Sequence, residues 1–280
     1  MPLAIAAPAS APGVPTCTTD PRFAAPLPDG RVLVIGEGLH GTEEAPAFVA
    51  AVLCAHLKAG KPVLLAWEHP RDRQGVLNAF MAGDGGAEAQ RRLIDAVLGG
   101  PSGQDSLAIL HLLDTVRQWR RAGARVAVSM VDLAETDLLE PLYAGDNKYR
   151  MSSPSQRQRL MAGVVETRAR QYPDHAIVFF TAHAGRKATE LGQGYESATL
   201  LLSRRLPVRV MAFRFEGGAS WRCEGKTLPE VVCKAFEVQP QVANEDADDT
   251  VNLGIVHASP PASPNPYPIY SPPPEPSAKP

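Results

Sequence analysis

Five short apolar runs alternate along this chain with longer segments of helical spacing. The runs are RVLVIGEG, PVLLAWEHP, RVAVSMVDL, AIVFFTAHAG and PVRVMAFRF, and each is typical of a buried strand. Between them lie segments such as PAFVAAVLCAHLKAG and SLAILHLLDTVRQWRRAG, whose apolar residues recur at helical spacing. Strands that alternate with helices of this length require right-handed crossovers. The sequence therefore predicts a three-layer α/β fold, with a mostly parallel central sheet and helices on both faces.

Composition and charge exclude several functional classes. The chain has 280 residues, 44% of them hydrophobic, which is ample for a core. Its formal net charge of −2, with both signs mixed along the chain, offers no electrostatic surface for nucleic acid or an anionic membrane. No apolar run approaches the roughly 20 residues that span a bilayer. We expect a globular protein with a small-molecule substrate, without nucleic acid and without a membrane span.

The two ends differ in composition from the centre. Residues 1–20 are rich in Ala and Pro, which predicts a disordered arm or the remnant of a signal peptide. Residues 21–258 carry the strand and helix signals and are expected to form a single α/β domain. Residues 259–280 form a Pro-rich segment, predicted to be a disordered tail. Segments of this kind can dock into aromatic grooves, so the tail is a candidate for binding a partner.

The four cysteines divide by their surroundings. Cys54 lies in the apolar helical segment AFVAAVLCAHL and is expected to be a buried thiol. Cys223 and Cys233 flank a loop that bends at Gly225 and Pro229, a spacing that allows a disulfide. A disulfide implies an oxidising compartment, which favours a periplasmic or secreted location over the cytoplasm.

Ionisable residues follow four of the predicted strands. In chain order these strand ends carry Glu37 with His40, Glu68 with Arg71, Asp132, and His183 with Arg186. One such ending is expected by accident, because every strand stops in something polar. Four in succession are harder to explain in that way. In an open parallel sheet, ligands bind beyond the carboxyl ends of the strands, so the pattern predicts a site at that edge.

Two acidic residues directly after His40 have structural alternatives. Thr42 is placed to cap a helix, and Glu43 then stabilises the positive end of the helix dipole. Glu44 either belongs to the same first turn or points back towards His40.

Other strand ends have structural alternatives as well. Glu68 follows an apolar run directly and needs a buried partner, for which Arg71 and a histidine are the candidates. Asp132 has the alternative of accepting hydrogen bonds from backbone amides of its own loop. His69 alternates to the opposite face of the strand and is left out of the predicted site.

Four motifs, taken in order, resemble one superfamily. GEGLHGTEEAP resembles the G-E-x-x-H-x-x-x-E signature of the erythromycin esterase-like and ChaN-like group, to which the TraB/Tiki proteins are related. WEHPRDRQ resembles its second acidic strand end, and FFTAHAGRKA its late strand that ends in histidine. RQRLMAGVV is similar to its R-[DE]-x-x-M-A helix, with Arg157 on the motif and Gln158 in place of the acid. The motifs run from about residue 30 to residue 215.

The resemblance implies a hydrolase that needs no cofactor. His40 would be the general base that activates water, with Glu37 or Glu68 fixing its tautomer. His183 would polarise the carbonyl oxygen or protonate the leaving group. No G-x-S-x-G motif is present, which argues against an ordinary α/β-hydrolase. The residues expected to bind substrate are Arg71, Arg186, Glu44, Asp132 and Arg157.

Two other functional classes use the same motifs. As in the Tiki-like relatives, Glu37, His40 and His183 would be ligands of a divalent metal in a hydrolase or peptidase. As in the ChaN-like proteins, the chain would bind haem without catalysis. The candidate axial ligands for that haem are Tyr143, Tyr149 and Tyr195.

Overall fold

A parallel sheet of six strands forms the centre of the molecule. The computed structural model describes residues 17–22, 32–134, 154–181, 196–224, 231–241 and 246–264. The strands of the central sheet are β1 (Val32–Gly36), β2 (Val63–Pro70), β3 (Val126–Asp132), β4 (Ala176–Thr181), β5 (Val208–Arg214) and β8 (Asp249–Asn252). Their spatial order is β3-β2-β4-β1-β5-β8, and every neighbouring pair is parallel.

Helices cover both faces of this sheet. They are α1 (Glu44–Lys58), α2 (Gln74–Ala82), α3 (Ala87–Ala96), α4 (Leu107–Arg121), α5 (Pro154–Gln171) and α6 (Ala198–Ser203). Side chains of α1 to α4 share one hydrophobic core with the sheet, and those of α5 and α6 share a second. The chain runs outward from β1 to β3 and then returns through β4 to β5, so right-handed crossovers place the two sets of helices on opposite faces. The predicted three-layer α/β fold is confirmed.

Burial on both faces explains why the strands are continuous apolar runs. In β1, Leu33 and Ile35 join the core under α1 to α4, whereas Val32 and Val34 join the core under α5 and α6. All four side chains are fully buried, as expected for an all-parallel sheet. No helix within the described ranges is long and apolar enough to cross a membrane.

A second, small sheet was not expected from the sequence. Its strands are β6 (Gly217–Glu224), β7 (Val232–Val238) and β9 (Ile255–Val256), in the order β7-β6-β9. Strands β6 and β7 are antiparallel, and Cys223 lies opposite Cys233 in the ladder. A disulfide joins the two, which confirms the predicted pair.

The prediction of a buried thiol at Cys54 is wrong. Cys54 forms a disulfide with Cys17, so residues 17–20, assigned to the disordered arm, are tied to α1. Sequence spacing gave no sign of this pair, since 37 positions separate the two cysteines. Disulfides persist in oxidising compartments, and two of them are a mild indication of such a location.

The first residues of the predicted tail contact the domain. Residues 259–264 pack on it, and Ser259 is buried. The Ser259 hydroxyl accepts a hydrogen bond from the backbone N–H of Ala108 (2.9 Å), and the Pro260 carbonyl accepts one from that of Leu107 (2.9 Å). These acceptors satisfy amides in the first turn of α4, which have no partners within the helix. Residues 265–280 lie outside the described residues.

Candidate functional site

The predicted strand ends meet at a topological switch point of the sheet, where the connections from neighbouring strands leave towards opposite faces. Strand β4 lies between β1 and β2. The chain leaves β1 and β2 towards the face covered by α1 to α4, whereas the helix that follows β4 packs on the other face. Adjacent strands whose connections diverge in this way open a crevice at the carboxyl edge of a parallel sheet. The crevice lies between Glu37, Thr181 and Glu68 at the ends of the three strands.

Glu37 and His40 form a hydrogen-bonded pair at this edge. The Nδ1 atom of His40 lies 2.6 Å from Oε2 of Glu37. The Glu37 backbone N–H donates to the Thr181 carbonyl (2.8 Å), which holds the turn against β4. The Glu37 side chain is only 6% exposed, whereas that of His40 is 23% exposed. The histidine therefore meets solvent while its carboxylate is shielded from it.

The charges around His40 favour its protonated form. Burial lowers the pKa of His40, but the carboxylate of Glu37, with smaller contributions from Glu68 and Asp105, raises it more. The net pKa lies above the ordinary value of 6.5. Because a carboxylate only accepts hydrogen bonds, Glu37 fixes the neutral ring with its proton on Nδ1 and its lone pair on Nε2. In this neutral form, Nε2 is the ring atom that can accept a proton.

The residue after His40 anchors this turn to the rest of the molecule. Gly41 has a φ of +75°, and its carbonyl accepts hydrogen bonds from the backbone N–H groups of Trp221 and Ser259, both 2.8 Å. A Cβ atom at Gly41 would lie 2.0 Å from the Trp221 carbonyl oxygen. The turn that carries His40 therefore rests on β6 and on the segment after β9, and only glycine fits there.

The second strand end forms an ion-pair network with helix α5. The Arg157 guanidinium contacts Glu68 at 2.9 Å and Asp132 at 2.5 Å, and its Nε donates to Asp132 at 2.8 Å. The Thr181 hydroxyl donates to the other oxygen of Glu68. Asp132 also accepts from the Leu133 backbone N–H (2.7 Å), which is the alternative expected from the sequence. Arg157 is thus a partner of Glu68, in a place where the sequence suggested Arg71 or a histidine.

We expect Arg157→Met to lower the free energy of unfolding by about 3 kcal/mol near neutral pH, because it leaves two buried carboxylates without their cation. Urea unfolding near neutral pH measures the loss. Arg159→Met is the matched control, because Arg159 is exposed on the same helix. A loss no larger than that of Arg159→Met would contradict the ion-pair explanation.

Glu44 lies in the first turn of α1. None of the contacts within the described part of the chain joins its side chain to His40. Its carboxylate accepts from the backbone N–H of His257 at 3.0 Å and lies 2.7 Å from the Nδ1 of the same residue. The expected cap by Thr42 is wrong: Glu43 occupies the N-cap position without a side-chain hydrogen bond, and Thr42 is buried one residue earlier. The substrate-binding role of Glu44 stays a prediction.

Several predicted site residues fall outside the described residues. These are His183, Arg186, Tyr143, Tyr149 and Tyr195. Arg71 is described and begins the short 3-10 helix η1 (Arg71–Arg73) directly after β2. Within the described ranges, no three His, Cys, Asp or Glu side chains are grouped to hold a metal ion. The metal set of Glu37, His40 and His183 and the haem ligands stay predictions.

His69, which is not part of the predicted site, lies beside that site in the structure. It points to the opposite face of β2 from Glu68, as predicted, but a polar residue, Asp105, lies on that face as well. Its Nε2 lies 3.3 Å from Oδ1 of Asp105, and its ring stacks on Trp67 with centroids 4.3 Å apart. Asp105 belongs to η2 (Gly103–Asp105), a short 3-10 helix before α4. No local pattern links positions 69 and 105, so only the pairing across the fold reveals them.

A cavity of about 550 Å³ opens at this edge of the sheet. We call it the acidic cavity, because carboxylates dominate its ionisable lining. Those lining residues are Glu68, His69, Arg73, Asp95, Asp105 and Asp132. The cavity joins the end of β2 to the segment between α3 and α4.

Solved structures with the same fold support the arrangement of the chain. A mutant of erythromycin esterase EreC in its open conformation superposes with a TM-score of 0.55 and 14% identity, over 77% of this chain and 78% of that one. A succinoglycan biosynthesis protein superposes with a TM-score of 0.52 and 9% identity, over 74% and 71% of the two chains. No protein-family model and no curated protein matches the sequence. At these identities the likeness shows the fold alone, and it is the fold that the sequence motifs implied.

Proposed function

We propose that this protein is a hydrolase of the erythromycin esterase-like type, in which His40 activates water to attack an ester or a related acyl bond. The hydrogen bond of 2.6 Å between Glu37 and His40 is the observation that carries the proposal. The pair lies at the carboxyl edge of the sheet, in the crevice where this class of fold binds ligands. The fold shared with an erythromycin esterase supports the same reaction class.

The proposed reaction needs few groups. The Nε2 of His40 takes a proton from water as the water oxygen bonds to the carbonyl carbon. The tetrahedral intermediate then breaks the bond to the leaving oxygen, which takes the proton from His40. Glu37 stabilises the imidazolium in between, because its carboxylate accepts the Nδ1–H throughout. In this proposal His183 is the electrophile for the carbonyl oxygen, and Arg71 and Arg186 bind a polar part of the substrate.

Two features support placing the enzyme outside the cytoplasm. Both disulfides, Cys17–Cys54 and Cys223–Cys233, need an oxidising compartment to persist. We therefore propose a periplasmic or secreted enzyme.

A panel of aryl and alkyl esters, with a peptide panel in parallel, tests the reaction class. We expect release of the acid from at least one class of ester, unchanged by EDTA, because the proposed base and its carboxylate need no metal. Loss of activity on chelation, restored by Mn, Co or Zn, would replace this proposal with the metal-dependent alternative. A Soret shift on titration with haem, without ester hydrolysis, would favour the haem-binding alternative.

The pH dependence tests the role of Glu37. Activity requires neutral His40, so it rises with pH through the pKa of His40, which lies above 6.5. Glu37→Gln removes the carboxylate that raises this pKa, so we expect the rising limb of kcat/KM to move to lower pH. Glu88→Gln, at an exposed site on α3, is the control for net charge. A limb that stays in place would show that His40 is not the titrating base.

A further inference from the structure

A second cavity, of about 620 Å³, opens between helices α1 and α4, and we call it the helix groove. Alanines from both helices form much of its wall: Ala47, Ala50, Ala51 and Ala108. Of the other described residues that line it, only Glu43 and His111 carry an ionisable side chain. A wall that is small and largely uncharged fits an apolar segment of chain better than a charged ligand.

One polar group in this wall has no acceptor within the described part of the chain. The Trp119 side chain lines the groove and is only 7% exposed, and its indole N–H donates to no other described residue. The indole nitrogen keeps some accessible surface, so a group in the groove can reach it. Because a buried indole N–H usually has a hydrogen-bond partner, the groove is expected to hold an acceptor.

The segment of chain before Cys17 leads directly to this groove. Cys17 lines the groove, and its disulfide with Cys54 ties it to α1. Residues 1–16 precede it in the sequence and lie outside the described residues. None of these sixteen residues is charged, and nine of them are Ala or Pro. Their composition therefore matches the small, largely uncharged wall of the groove.

The length of this segment agrees with the length of the groove. From Leu107 to Trp119, α4 rises about 18 Å, at about 1.5 Å per residue. A segment in the polyproline II conformation advances about 3.1 Å per residue, so about six residues span that length. Residues 11–16, APGVPT, stand directly before Cys17. In this conformation the backbone carbonyls make no bonds within the segment and are free to accept from the groove.

The Pro-rich segment at the other end of the sequence is less suited to the groove. The Ser259 hydroxyl contacts the first turn of α4, and the Ala262 N–H donates to the carbonyl of Asp105 (2.8 Å), which precedes that helix. The chain therefore runs away from Trp119 as it approaches residues 265–280. Those residues also include a glutamate and a lysine, whereas residues 1–16 carry no charged side chain.

From the uncharged wall, the Trp119 N–H and the tether at Cys17, we propose that the helix groove is the docking site of the chain's own residues 1–16. Residues 11–16 lie along the groove in the polyproline II conformation, and one of their carbonyls accepts from Trp119. The disulfide keeps the segment beside the groove at an effective concentration in the millimolar range, so a weak contact suffices. This inference does not depend on the proposed hydrolase function.

Limited proteolysis of the whole oxidised chain with proteinase K, mapped by mass spectrometry, tests the docking. Ala47→Trp fills the groove from an exposed position on α1, so we expect cleavage within residues 11–16 to be about tenfold faster than in the wild-type protein. Trp119→Phe removes only the N–H donor and a part of the ring, and should raise the rate about threefold. Ala87→Trp, at an exposed site on α3, is the matched control and should behave like the wild-type protein.

Equal cleavage rates in the wild-type protein, Ala47→Trp and Trp119→Phe would overturn the inference. Unfolding midpoints of the variants show whether the fold is kept, and Trp119→Phe remains as the test if Ala47→Trp does not fold. Protection of residues 265–280 that is lost in Ala47→Trp would assign the groove to that segment instead. Protection of residues 11–16 that grows with protein concentration would assign it to a second copy of the chain. Either result would also overturn the inference.

Discussion

Replacing His40 with glutamine is expected to lower kcat for ester hydrolysis by about a thousandfold, with little change in KM. The amide keeps a polar side chain beside Glu37 but cannot take a proton from water, so the transition state loses its base while ground-state binding is kept. Steady-state kinetics on the best ester of the panel measures the effect. The unfolding midpoint of the variant should stay close to that of the wild-type protein, because the His40 side chain is partly exposed.

His111→Gln is the matched control for this experiment. His111 is exposed on α4 and takes no part in the proposed site, so the same chemical change there should leave kcat unaltered. If His40→Gln loses less than about tenfold in kcat, general-base catalysis by His40 is contradicted, since a positioned base contributes at least a hundredfold. Glu37 and Glu68 would then be the candidates for the general base.

Gly41→Ala is expected to be among the most destabilising single substitutions in the chain, lowering the free energy of unfolding by about 4 kcal/mol or more. A methyl group there would lie 2.0 Å from the Trp221 carbonyl oxygen and 2.8 Å from its carbonyl carbon, so backbone must move. Movement would break the hydrogen bonds that Trp221 and Ser259 make to the Gly41 carbonyl. Because His40 is the preceding residue, we also expect activity to fall further than stability alone explains.

Gly38→Ala isolates the cause of that loss. Gly38 has a similar φ of +66°, but nothing lies within 4 Å of a Cβ atom built there. Both variants therefore carry the backbone strain of an alanine at positive φ, about 1 to 2 kcal/mol, and only Gly41→Ala adds the clash. Chemical denaturation of both proteins measures the difference. Equal losses would show that strain alone acts and that the turn does not depend on its contact with β6.

The strand ends show which parts of the site follow from sequence. Glu37 and His40 are three positions apart in one turn, so their hydrogen bond is a local consequence of the chain. Glu68 and Asp132 follow buried strands, which predicts that both lie at the same edge. Arg157 forms ion pairs with both of them and belongs to α5, the helix that follows β3 in the chain. Arg157 lies in one of the motifs that resemble the superfamily, but no spacing rule predicts its contact with these two carboxylates.

Both chain ends contain residues that contact the domain. Residues 17–20 and 259–264 fall in segments for which the composition predicts disorder, because Ala-rich and Pro-rich composition cannot form a core of its own. Several tertiary contacts hold these residues. Cys17 forms a disulfide with α1, and Ser259 and Pro260 accept hydrogen bonds from the first turn of α4. Composition is an average over a segment, so it does not reveal the contacts of individual residues.

The sequence by itself determined the α/β class, the parallel sheet and the edge at which ionisable residues collect. These features depend on periodicity and on chain direction, which are local properties of the chain. Tertiary structure decided the strand order, which places β4 between β1 and β2, and with it the crevice that Glu37, Thr181 and Glu68 share. It also decided the pairing of His69 with Asp105, because 36 positions separate them and only the packed fold brings one to the other.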